Sequence, residues 1–129
     1  MSDEAAGPPA GDDPGGAVLR EIDSDLNIFA LANGLDLYRD PGGGRARVLE
    51  WYRDGMERRI HLTPSSEQSG TVDLAVGALA RREGVKIELR RPFQAGVATS
   101  RLRTVLPQAI DGGNALARDQ VEREGTPLG

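Results

Sequence analysis

The chain has 129 residues, 20 acidic against 16 basic side chains for a net charge of −4, and no cysteine. That length suits one domain with a small core, and the missing thiols exclude disulfides, thiolate catalysis and zinc–thiolate sites while leaving the redox compartment open. Only 4% of residues are aromatic, so the core must be built from Leu, Val, Ile and Ala, and no apolar run approaches the roughly 18 residues that a membrane span needs.

Charge is distributed unevenly. Residues 1–40 hold two Arg against nine acids, net −7; residues 41–103 hold twelve Arg and Lys against seven acids, net +5; residues 104–129 are net −2. A basic middle invites a nucleic-acid partner. Yet Lys86 is the only lysine, and the abundance of Arg, Ala and Gly matches the codon bias of a GC-rich, bacterial genome, which weakens any phosphate-binding reading of the arginines.

Residues 1–16 carry Gly7-Pro8-Pro9, Asp12-Asp13-Pro14 and Gly15-Gly16 with almost nothing apolar. They are expected to form a disordered acidic tail, because no burial offsets the cost of ordering them. A secretory signal would be basic and then apolar, so a cytoplasmic location is expected. The domain proper is assigned to residues 17–123, with residues 124–129 a second disordered tail.

From Ala17 the pattern changes. Leu19, Ile22, Leu26, Phe29 and Ala30 share one helical face, Glu21, Asp23 and Asp25 suit the positive end of the helix dipole, and Asn33-Gly34 supplies a left-handed stop. Asn33-Gly34 could also turn a hairpin between Ile28–Ala32 and Leu35–Tyr38, but the longer 3.6-residue period favours the helix. Leu35–Tyr38 then alternates as a first strand before the Asp40–Gly44 loop. The triple glycine of that loop lacks a following Gly-Lys-Ser/Thr and precedes a strand pattern, so it is read as a loose turn and not a phosphate loop.

Residues Arg47 to Thr63 are the most informative stretch. Asp54-Gly55 is a two-residue hairpin signal, and pairing outward from it sets Leu49 opposite Ile60, Trp51 opposite Arg58, and Arg47 opposite Leu62. Glu50 then faces Arg59, Tyr52 faces Glu57 and Val48 faces His61 on the other side. One face is apolar, from Leu49, Trp51, Met56, Ile60 and Leu62; a one-residue slip would scatter it, so the register is well specified.

Thr71–Arg82 fits two templates. As a helix, Val72, Ala75, Val76, Leu79 and Ala80 share a face, with Gly84 as the stop. As a strand, Val72, Leu74, Val76, Ala78 and Ala80 alternate, and Glu83-Gly84 turns back to pair Ala80 with Ile87 and Ala78 with Leu89. Gly77 would cost a helix interior about 1 kcal/mol relative to Ala, which favours the strand. Val85, Ile87 and Leu89 alternate with Lys86, Glu88 and Arg90 in the next strand, expected to close at Pro92. Thr99-Ser100 can cap a final helix whose face carries Leu102, Val105, Leu106, Ala109, Ile110 and Gly113. Pro107 is expected to kink or divide it, and Gly112-Gly113 to weaken it.

The elements add up to an α+β fold: an antiparallel sheet of about five strands, a meander, with an N-terminal and a C-terminal helix packed on one face. Small secretion-chaperone-type domains are similar in their order of elements, an architectural resemblance with no shared motif. Architecture alone does not establish function; the expectation is a small non-enzymatic protein-binding domain, adaptor or chaperone-like.

Chemistry is sparse. His61 is the sole histidine and the natural acid–base candidate, but no nucleophile or second histidine accompanies it. Paired carboxylates such as Glu50 with Glu57 would need to converge in a cleft, and no His/Asp cluster has metal-ligand spacing. No catalytic residue, metal or cofactor is assigned, and the protein is read as no enzyme. The remaining candidates are Tyr52, Arg59, His61 and Glu50, a patch of cation, aromatic and carboxylate on the polar hairpin face. It could bind a polypeptide, with self-association as a homodimer through a sheet edge or spare apolar helix surface. The alternatives are a nucleic-acid-binding module that stacks bases on the basic middle segment, and a small-molecule site lined by Glu50, Arg59 and His61.

Overall fold

In the computed structural model of the chain, residues 14–39, 45–53 and 55–124 are described. The acidic tail up to residue 13, the Asp40–Gly44 loop, Asp54 at the hairpin tip and the stretch beyond Glu124 lie outside the described residues.

Helix α1 spans Pro14–Asn33, followed by strands β1 (Asp36–Arg39), β2 (Arg47–Arg53), β3 (Met56–Pro64), β4 (Thr71–Arg82) and β5 (Val85–Ala98). A single 3-10 turn, Thr99–Arg101, leads into helix α2, Leu102–Glu124. The sheet is an antiparallel meander in the order β1-β2-β3-β4-β5. Both helices contribute to one apolar cluster with the same sheet face, so the fold is the α+β arrangement that the pattern indicates. No helix among the described residues is long and apolar enough to cross a membrane.

α1 begins earlier than the apolar spacing suggests, at Pro14, whose fixed φ and missing N–H suit the first helical position. Its inward stripe is Leu19, Ile22, Leu26 and Ala30, all buried. At its end Gly34 takes φ +69° and the Leu35 amide donates to the Ala30 carbonyl at 2.9 Å, a Schellman closure. The helix reading of Asn33-Gly34 therefore holds over the hairpin. The early start moves Glu21, Asp23 and Asp25 away from the helix terminus, and their role is contact rather than dipole compensation. Asp23 takes a two-pronged hydrogen bond from buried Arg47 at 2.7 and 3.1 Å; Glu21 accepts from the Thr99 hydroxyl at 3.0 Å; Asp25 meets Arg103 at 3.4 Å.

The β2–β3 hairpin has the register expected from its turn, Leu49 with Ile60, Glu50 with Arg59 and Val48 with His61, and Gly55 takes φ +80°. Leu49, Trp51, Met56, Ile60 and Leu62 are buried as one face. Thr71–Arg82 is a strand, closed by a two-residue turn in which both Glu83 (φ +52°) and Gly84 (φ +82°) are left-handed. Ala80 lies opposite Ile87 and Ala78 opposite Leu89.

Three local expectations are corrected. β5 does not stop at Pro92 but runs through it to Ala98. A proline is tolerated because β5 is an edge strand, and the pairing shifts register beside it, between Leu74 and Ala75. α2 is not divided at Pro107 but runs through it as one helix; the carbonyl it orphans belongs to Arg103, and both residues are exposed, so water can take the missing bond. Thr99 and Ser100 do not cap α2 with a side chain: they form the 3-10 turn, and the Thr99 hydroxyl is used on Glu21.

Gly112 and Gly113 have a packing reason. A Cβ at Gly112 would lie 2.8 Å from Cε1 of Phe93, and one at Gly113 would lie 2.8 Å from Cη2 of Trp51. The helix crosses the sheet so closely there that only glycine fits. At the next residue, Asn114 Oδ1 accepts the Trp51 indole N–H at 3.2 Å, which satisfies the one polar group of an otherwise apolar anchor.

Candidate functional site

Period-two alternation sends Val48, Glu50 and Tyr52 of β2, Glu57, Arg59 and His61 of β3, and Glu88 and Arg90 of β5 to the face that neither helix covers. A concavity of about 530 Å³ lies on that face, lined in part by Tyr38, Val48, Glu50, Arg59, His61 and Arg90. Three of the four candidate residues, Glu50, Arg59 and His61, therefore share its wall. Tyr52 does not line it; it stands 61% exposed nearer the hairpin tip.

Arg59 is the hub. Its Nε donates to Glu50 at 2.7 Å and its Nη1 to Glu88 at 2.9 Å, with Glu57 at 3.7 Å. Partial burial works against its charge, but the hydrogen bonds to Glu50 and Glu88 outweigh it and raise the guanidinium's pKa. Glu57 in turn accepts from Lys86 at 2.6 Å, and that hydrogen bond holds its carboxyl below the usual range. Cations and carboxylates thus alternate across three strands, β2, β3 and β5.

His61 Nε2 meets the other Glu88 oxygen in a short hydrogen bond. Burial pushes the imidazole pKa down, with Arg90 and Arg59 adding to the effect and Glu88 opposing it; the net direction is downward. Glu88 is also held below its usual range: burial alone would raise it, but His61, Arg90 and Arg59 prevail. Both directions describe one state, a neutral imidazole donating Nε2–H to a carboxylate. Near the rim the exposed Tyr38 phenol is pushed above its usual value by the charge of Glu50 and then of Asp36.

Glu88 is the residue that sequence reasoning missed. Its alternation with Leu89 was visible, but its company depends on the β3–β4 register, which sets Arg59 opposite Gly77, itself opposite Arg90. A Cβ at Gly77 would collide with the Glu88 carboxyl group, so this glycine opens the path by which Glu88 reaches across β4 to His61 and Arg59. Gly77, a cost to a helix, was the available signal.

No protein-family model matches this chain, and no curated protein or solved structure matches it either. His61 has its Nε2 committed to Glu88, no hydroxyl is hydrogen-bonded to it among the described residues, and no group of three or more metal-ligating side chains occurs among them. The cluster is an array of hydrogen-bond donors and acceptors on an open surface.

Proposed function

We propose that the chain is a small non-enzymatic protein-binding or adaptor domain whose uncovered sheet face holds an extended polypeptide segment. The observation that carries this reading is the open concavity in which Val48 and Tyr38 offer apolar contact between charges already fixed by Glu50, Arg59, Glu88 and His61. Side chains ordered before binding lose little entropy on binding, which favours recognition of a shaped polar surface. A nucleic-acid surface is the weaker reading, because Arg59 is locally neutralised by the carboxylates beside it, and phosphate contacts would have to compete with them.

The test is selection of peptides from a displayed random library on the purified full chain, followed by amide chemical-shift mapping of the winners. Binding should perturb Val48, Glu50, Arg59 and His61, and Arg59→Glu or Tyr38→Ala should weaken it at least several-fold while leaving the circular dichroism spectrum intact. Peptides that bind these variants normally would remove this surface as the site. Salt-sensitive binding of single-stranded oligonucleotides in place of peptides would transfer the surface to the nucleic-acid reading.

A further inference from the structure

The sheet ends on one side in β1, four residues long, and on the other in β5, fourteen residues long. In a two-residue hairpin the residues flanking the turn, here Arg82 and Val85, exchange backbone hydrogen bonds, and the pattern alternates from there. Val85, Ile87 and Leu89 therefore direct their N–H and C=O groups to β4, and Lys86, Glu88 and Arg90 direct theirs to the free edge. On the helix-side face of this edge, Val85 is 60% and Ile87 40% exposed. Long open edges with exposed apolar side chains invite another strand.

The edge is self-complementary in only one way. Two copies meeting antiparallel about a two-fold axis place residues of equal parity opposite each other, so each possible register is centred on one residue. Centring on Glu88 sets Glu88 against itself and Lys86 against Arg90. A centre at Lys86 opposes two lysines. With Leu89 at the centre, Ile87 faces Arg91 and Lys86 faces Pro92, which has no N–H to give. Centring on Ile87 pairs Ile87 with itself, Val85 with Leu89, and Lys86 with Glu88 twice over: apolar meets apolar on one face and opposite charges meet on the other.

We propose that two copies of this chain join through β5 in antiparallel register about Ile87, forming a continuous ten-stranded sheet. In this register the pairing spans Val85 to Leu89 of each strand, because beyond it Arg90 faces the Gly84 turn of the other copy. Lys86 is half exposed beside Glu57 and can reach a carboxylate across the join. Each copy thereby brings its Lys86 next to Glu88 of the other, the residue at the centre of the His61 and Arg59 cluster, so the open-face concavities of the two copies become linked parts of one surface. This deepens the homodimer expectation and does not depend on peptide binding: Tyr38→Ala, on the opposite edge of the sheet, is expected to leave the dimer intact, so failure of either idea is visible without the other.

Light scattering coupled to size exclusion, over protein concentrations from micromolar to a few hundred micromolar, should show twice the 13.8 kDa chain mass at the upper end. Lys86→Glu opposes two pairs of carboxylates and Glu88→Lys two pairs of lysines, so each should raise the dimer dissociation constant at least tenfold. The double charge swap should recover most of the loss. Because Glu88 also holds His61, a readout on the unaltered chain accompanies the variants: hydrogen exchange at the Lys86 and Glu88 amides should slow as concentration rises. A monomer at every concentration, a dimer indifferent to the single variants, a charge swap no better than they are, or amide exchange independent of concentration would each overturn the proposal. The last three would move any dimer contact elsewhere, with exposed Ile28 and Leu31 of α1 the next surface to probe.

Discussion

At the residue scale the molecule turns on Glu88, which holds a neutral histidine with one oxygen and a guanidinium with the other. The sign of its pH dependence follows. An imidazole whose native pKa lies below the usual 6.5 binds fewer protons when folded than when unfolded, so its contribution is complete above about 6.5 and is lost as pH falls through the native value. Glu88 and Glu57, both held below 4.5, extend the loss further into acid. Urea midpoints should therefore be level above about pH 7 and decline on acidification; a midpoint unchanged between pH 7 and pH 5 would contradict the burial of His61. Since the Glu88 carboxylate raises the His61 pKa against burial, Glu88→Gln should push the histidine's NMR titration lower still, and a rise would mean that burial is not the dominant influence.

At the element scale the informative cases are glycines that looked like defects in regular structure. Ala in place of Gly113 would gain up to about 1 kcal/mol of helix propensity, but its methyl group would sit 2.8 Å from the Trp51 ring, and overpacking of this kind typically costs about 1–3 kcal/mol. Gly113→Ala is therefore expected to destabilise, with a shift in the emission of the only tryptophan as α2 is lifted from the sheet; a stabilised variant with unchanged fluorescence would show that the crossing relaxes freely. The same residues show which parts of the fold were legible in sequence. The two hairpin registers were readable because a two-residue turn and a period of two leave no freedom once one face is apolar. The close crossing of α2 and the reach of Glu88 over Gly77 were not, because each depends on which element lies across from a glycine, and local pattern does not encode that. Asp23 was misassigned for a related reason: dipole compensation is a local argument, whereas its partner Arg47 lies on a strand 24 residues away.

At the scale of the whole molecule, one covered sheet face makes α1 and α2 interdependent. α1 is held to the sheet by the Asp23–Arg47 pair and to the start of α2 by Glu21 with Thr99 and Asp25 with Arg103, and both helices share a single apolar cluster. Arg47 is only 3% exposed, so Asp23→Ala removes a two-pronged, charge-assisted hydrogen bond from a buried guanidinium, a change expected to cost about 1–3 kcal/mol. Trp51 lies four residues further along β2, against Gly113 of α2, so it reports on the α2 side of the sheet. If the core is one cooperative unit, Asp23→Ala should move the Trp51 fluorescence transition and the far-ultraviolet circular dichroism transition by the same amount, keeping them coincident. Two separated transitions, an early loss of helix followed by a tryptophan change at the original midpoint, would mean that α1 can leave while α2 and the sheet stay folded. The open face would then belong to a smaller folded unit than the one described.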